Sequence, residues 1–174
     1  MTTVDPDGIR SALDRMLRIG DRGKFVEDLI NRLGAGTKNP FISDYVLDLF
    51  DAVASGKGGF VRGGLANKYR VGATISGNIR SGDAAIHLTS HFNGPPVGNS
   101  VNFIDAFQTL HELVHHAGRN RYYDDQEVAQ TLSEMTGIAG LPNRKDYKSR
   151  EAFVGANSAY FSKVLSSKCP VLSR

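Results

Sequence analysis

The sequence predicts an α+β domain, and three observations lead there. The first third repeats its apolar residues at helical spacing. The middle holds two short segments in which apolar and polar residues alternate. The second half returns to helical spacing, with histidines and acids at its borders. A chain of 174 residues suffices for one domain with a sizeable core. We read it as a single domain over 1–174, with a helical N-terminal portion over 1–60 and a chemistry-bearing core over 65–174.

Ile9, Leu13, Met16 and Leu17 share one helical face, and so do Phe25, Val26, Leu29, Ile30 and Leu33 before Gly34. In "NPFISDYVLDLFDAVASG" the stripe Phe41, Tyr45, Leu49 and Val53 predicts a third helix that stops at Gly56. The next segment, "GKGGFVRGGLANKYR", lacks the Gly-Lys-Ser/Thr ending of a phosphate loop and reads as a flexible connector. "KYRVGATISGNI" and "DAAIHLTSHF" predict two strands joined through "RSGD" as a hairpin. In the second strand Ile86, Leu88 and Phe92 alternate with His87, Thr89 and His91, which puts the histidines on the more polar face. "NGPPVGNS" is a loop whose Asn99 or Ser100 can cap a helix over 101–117, closed by Gly118. A further helix follows Asp124 and reaches about Gly137. "GLPNRKDYKSR" is a loop, and "ANSAYFSKVLSSK" a short last helix ended by Cys169-Pro170.

Composition narrows the function classes. Hydrophobic residues make up 40% and charged residues 22%, as in soluble globular proteins. The net charge of +3 comes from scattered Lys and Arg without a dense basic run, so a solvated surface is expected and nucleic acid is not the expected partner. Cys169 is the only cysteine, which rules out an intrachain disulfide and a thiolate metal cluster. "MTTVDPDGIR" has neither the basic region nor the apolar core of a secretory signal, and no apolar run is long enough for a bilayer, so no membrane partner is expected.

The informative stretch is "TLHELVHHAGRNRYYDD", Thr109 to Asp125. On a wheel of about 100° per residue, Phe103, Phe107, Leu110, Val114 and Ala117 form the core stripe, flanked by Ala106 and Leu113. His111 and His115 fall together at one border of it, Glu112 lies just beyond, and His116 points toward solvent. Two neutral imidazoles one turn apart can both reach one ion, and a glutamate beside the first can take a proton from water at the fourth position. The pattern His-Glu-x-x-His, here "HELVH", resembles the active-site helix of the zincin metallopeptidases. That resemblance implies a zincin-like fold, Zn²⁺ as cofactor, and a peptide or protein as substrate. The core over 65–174 is then the metal-binding part.

A catalytic zinc needs a third protein ligand. The metzincin pattern would place a histidine where this chain has Arg121, so Met135 is not that family's methionine turn. In "YYDDQEVAQTLSEM" the buried stripe is Val128, Leu132 and Met135. Asp125 falls on its inward side, whereas Glu127 falls on a polar face and pairs with Asp124 as a capping box. Asp125 is the expected third ligand, in an aspzincin-like manner. Glu127, in the gluzincin manner, is the alternative, and Asp124 and His91 stay open.

Glu112 is then the expected general base, and Tyr122 or Tyr123 an oxyanion donor, with Tyr123 the chosen catalytic residue; ring packing or a role for Arg121 are competing readings. The edge of "AAIHLTSHF" is expected to pair with an extended peptide. A looser resemblance covers residues 83–170. "LHELVHHAG", "YYDDQEVAQ" and "NSAYFSKVLSSKCP" are similar to zincin-like domains at the C-termini of bacterial RHS/YD-repeat proteins. It implies a toxin-like or effector-like tip of a larger secreted protein, and Asn157 and Ser158 near the active helix. The alternative function is a non-catalytic zincin-like module that binds metal or a partner.

Overall fold

The structure, a computed structural model, describes residues 4–18, 22–34, 42–91, 100–117 and 122–168. The expectations placed on Phe41, Phe92, residues 93–99, Gly118, Arg121, Cys169 and Pro170 lie outside these residues. The architecture is α+β. Three helices open it: α1 (Pro6–Arg18), α2 (Arg22–Leu33) and α3 (Ile42–Ala54). Strand β1 (Gly59–Arg62), helix α4 (Gly64–Tyr69), and strands β2 (Ala73–Ser76) and β3 (Ala85–Leu88) form the middle. Helices α5 (Val101–His116), α6 (Asp125–Thr136) and α7 (Arg150–Lys168) complete it. No helix among the described residues is long and apolar enough to cross a membrane.

The amphipathic pattern of α1 is obeyed, since Ile9, Leu13, Met16 and Leu17 are all buried. In α3 the buried face differs from the expected stripe. Ile42, Val46, Phe50 and Val53 point inward, while Tyr45 and Leu49 pack at the margin. This helix is apolar on more than one side, so its wheel allowed either choice and tertiary packing decided between them. One apolar cluster then runs from Ile9 to Leu165 and takes in residues of all three opening helices and of α5, α6 and α7.

The glycine-rich segment is ordered structure, not a flexible connector. It supplies β1 and α4, and its glycines have positional work. Gly63 (φ +85°) and Gly64 (φ +48°) make a left-handed turn, and a Cβ on Gly64 would lie 2.4 Å from His87 Nδ1. Gly63 N donates to Leu88 O at 2.7 Å, and Leu65 N donates to His87 Nδ1 at 3.2 Å. β1 thereby pairs in parallel with β3, Phe60 opposite Ile86. The expected hairpin forms on the other side of β3, antiparallel, with Ala73 opposite Leu88. The sheet order is β1-β3-β2. β3 buries Ile86 and Leu88 completely, as its alternation requires.

α5 is packed by α1, α3, α7 and the sheet. Almost every residue from Asp105 to Ala117 is therefore buried, well beyond the stripe the wheel defined. The sheet is tied to it by an ion pair the sequence did not announce. Arg62 of β1 donates from Nη1 and Nη2 to the two carboxylate oxygens of Asp105 at 2.8 and 2.6 Å, and Nη1 also reaches Thr89 O at 3.2 Å. Both side chains are below a tenth exposed. α7 begins at Arg150, earlier than the expected 156, because Ser149 Oγ accepts from Ala152 N at 3.1 Å.

Removing one member of a buried ion pair leaves the other charged and uncompensated. Asp105→Ala should therefore destabilise the fold by about 3–5 kcal/mol in denaturant unfolding. Replacing both residues with apolar ones of similar volume should recover most of that loss.

Candidate metal centre

α5 carries two of the groups that face the site, and α6 and α7 complete it. His111 Nε2 lies 3.5 Å and His115 Nε2 3.0 Å from Asp125 Oδ1. The three ligand atoms all fall within 4.8 Å of one another, a group that could hold a metal ion. Tetrahedral bonds of about 2.0–2.1 Å place ligand atoms roughly 3.3 Å apart, and the two observed separations bracket that value. Asp125 Oδ1 is buried and accepts no well-aligned hydrogen bond, so its lone pairs are left facing the two imidazoles. The residues present fit a small divalent cation.

The outer nitrogens of both rings are held from behind. His115 Nδ1–H donates to Tyr123 O at 2.5 Å, which fixes the tautomer and leaves the Nε2 lone pair pointing at Asp125. Tyr123 N in turn donates to His115 O at 2.9 Å, so the chain entering α6 is pinned to the end of α5. His111 Nδ1 meets Ser162 Oγ of α7 at 2.9 Å. Its ring stacks on Phe161 with centroids 3.9 Å apart, and His115 meets Phe161 edge-on at 5.6 Å. Tyr122 covers the other face of His115 at 5.2 Å.

Asp125 reaches the centre because it is the first residue of α6, while its neighbours are occupied with capping. Asp124 accepts from Glu127 N at 2.8 Å, and Glu127 Oε1 returns to Asp124 N at 3.4 Å. The structure thus brings Asp125 to the histidines and gives Asp124 and Glu127 the capping box. His91 lines the same cavity, outside the ligand group. Of the two tyrosines, Tyr122 lines the cavity and is half exposed. The ring of Tyr123, the chosen oxyanion donor, is buried in the core, and its backbone serves the site instead. His116 is half-buried, edge-on to Tyr122, rather than turned fully to solvent. Ser158 faces the cavity, whereas Asn157 is buried and donates to Phe153 O within its own helix. Ser162 and Phe161 were missed by sequence reasoning. Their only signal was an apolar-polar border on a helix whose partner was unknown.

The cavity has a volume of about 620 Å³ and lies between α5, the α4–β2 segment and α7. β3 cannot offer it an edge, because β3 is the central strand and is paired on both sides. β2 stands at the margin of the sheet, and Val71–Thr74 line the cavity.

Electrostatics separate the two acids. Burial, reinforced by Asp125, pushes the Glu112 carboxyl up to about 7, with His115 opposing. Burial would raise Asp125 as well, but its contacts with His111 and His115 outweigh this and hold it below the usual carboxylate range. Burial lowers His111. It also opposes the charge on His115, yet Asp125, Glu112 and the Tyr123 carbonyl together raise that histidine. Burial and the nearby carboxylates raise Tyr122, which stays a protonated hydroxyl.

No protein-family model, curated protein or solved structure matches this chain.

The raised Glu112 carries a stability consequence. The fold holds its proton between the ordinary 4.5 and about 7, so the ionised form destabilises the metal-free fold fully above pH 7 and not below pH 4.5. Glu112→Gln should stabilise the metal-free protein by about 3 kcal/mol at pH 8 and by less than about 1 kcal/mol at pH 5, measured by thermal unfolding. For the ligand set, Asp125→Ala should lower zinc stoichiometry in equilibrium dialysis, whereas Glu127→Ala should retain zinc and lose about 1 kcal/mol of stability through the cap.

Proposed function

We propose that the protein is a zinc-dependent hydrolase acting on peptide bonds. The observation that carries this reading is the convergence of His111, His115 and Asp125 beside Glu112 at the base of one open cleft. His111, His115 and Asp125 would hold the ion, which supplies Lewis acidity toward a carbonyl and makes water a nucleophile at neutral pH. Glu112 Oε2 lies 3.7 Å from His115 Nε2, so its carboxylate borders the ion-binding position without being needed as a ligand. A carboxylate at that position can take a proton from water and return it to a leaving amine. Tyr122 lines the cleft with its ring stacked on His115 and carries a protonated hydroxyl, which would serve as a hydrogen-bond donor to a developing oxyanion. The margin of the sheet at Val71–Thr74 supplies a backbone against which an extended chain can lie.

The test separates the base from the ligands. Glu112→Gln should bind zinc as the parent does and lose at least a hundredfold in kcat on unstructured peptides. A chelator should abolish cleavage by the parent, and added zinc should restore it. Cleavage by Glu112→Gln at the parental rate would overturn the mechanism.

A further inference from the structure

α5 turns four polar side chains toward the cleft at spacings i, i+3, i+4 and i+7: Gln108, His111, Glu112 and His115. The last three have roles above and Gln108 has none. Gln108 is 7% exposed, it lines the cavity, and its side chain makes no hydrogen bond among the described residues. Most of the side chain is buried, but its amide atoms are not among the polar atoms shut off from solvent, so the carboxamide is open to a ligand in the cavity.

The facing wall leaves room for this amide. A Cβ on Gly72 would lie 2.1 Å from Gln108 Oε1, 2.6 Å from its Cδ and 2.9 Å from its Nε2. Gly72 is not among the glycines with positive φ, so its backbone does not demand glycine. The three nearest atoms that a side chain there would meet all belong to the flexible end of Gln108, so an added Cβ would push the amide out of its present position. Two residues from separate elements thus hold one unpartnered polar group at the cleft surface.

We infer that the Gln108 carboxamide is a substrate-binding group that takes one main-chain peptide unit of an extended substrate laid along Val71–Thr74. The inference rests on the peptidase reading and deepens it. A primary carboxamide offers N–H donors and a C=O acceptor together, so it can donate to a peptide carbonyl while accepting from a peptide N–H, in either orientation of the amide. A phosphate or carboxylate would offer acceptors only and leave the Gln108 carbonyl unmet. One helical turn, about 5.4 Å, separates Gln108 from Glu112. At about 3.3 Å per extended residue, the recognised unit lies one or two residues from the bond presented to Glu112. Around it, Tyr69, Val71 and Tyr122 are large apolar side chains left exposed on the same cavity, surfaces that suit apolar side chains flanking that unit.

The experiment measures kcat and KM of the zinc-loaded protein on a peptide that mass spectrometry shows to be cleaved from a mixture of unstructured peptides. Parent, Gln108→Met, Gly72→Ala and the double substitution are compared, with zinc content and the melting temperature of each metal-free protein. Gln108→Met should raise KM about tenfold, with kcat within about threefold and zinc stoichiometry unchanged. Its metal-free melting temperature should not fall below the parent's, since no protein hydrogen bond is removed and the length of the side chain is kept. Gly72→Ala should reproduce the KM rise by displacing the amide, and the double substitution should be no worse than either single one. Parental KM in Gln108→Met, or a lower melting temperature, overturns the inference. In the first case the amide does not touch substrate; in the second it has a structural partner. If the parent holds zinc and cleaves no peptide, the peptidase reading falls and this inference with it. Cleavage with unchanged KM removes the inference alone.

Discussion

The site exists because α5 is enclosed on nearly every side and left open along one stripe. The helix has the sheet against one face, α1 and α3 against another, and α7 across its C-terminal half. Several of its buried polar groups are answered by neighbouring elements, while Thr109 Oγ1 and the Gln108 amide are not. Asp105 is answered by Arg62, His111 by Ser162 and His115 by Tyr123. With the rings thus fixed from behind, their inner nitrogens have one direction left, toward the N-terminus of α6. That enclosure turns a four-residue spacing into a paired donor set.

Asp125 and Glu112 show how one small cavity gives two carboxylates opposite characters. Both are withdrawn from water, which raises each. Asp125 stands against two imidazoles and is held ionised. Glu112 has one histidine at 3.7 Å and a carboxylate neighbour, and its proton is retained up to about 7. One acid is thus kept charged and the other kept protonated to near neutrality by the same small space. The difference is set by what each carboxyl faces, since their covalent chemistry is nearly the same.

The convergence of His111, His115 and Asp125 could be read from the sequence because it rests on local periodicity. Two histidines one turn apart, the capping pair Asp124 and Glu127, and the leftover inward Asp125 are all arithmetic on short stretches. The helices could be read for the same reason, and so could the antiparallel pairing of β2 with β3. The buried face of α3, the order built by the glycine-rich segment, and the support from Ser162 and Phe161 could not. Each depends on a partner far away in the chain: Phe50 turns inward because a core is there, and Ser162 matters only because α7 crosses α5. Which of Tyr122 and Tyr123 lines the cavity could not be read either, for a related reason. Adjacent residues in an extended segment point to opposite sides, and only the pinning of Tyr123 to His115 decides which side is the cleft.

The same long-range logic fixes the outer wall of the cleft. Had "GKGGFVRGGLANKYR" been a loose connector, β3 would have one unpaired edge and could itself receive a peptide. Instead the left-handed turn at Gly63 and Gly64, closed by bonds to Leu88 O and His87 Nδ1, returns the chain so that β1 occupies that edge. β2 then stands at the margin, and the chain entering it passes Val71 and Gly72 along the cavity opposite α5. Gly72 leaves the space in which the Gln108 carboxamide lies against that wall. Glycines that looked like slack in the sequence therefore determine which backbone faces α5 across the cavity, and leave space beside it for a polar group of that helix.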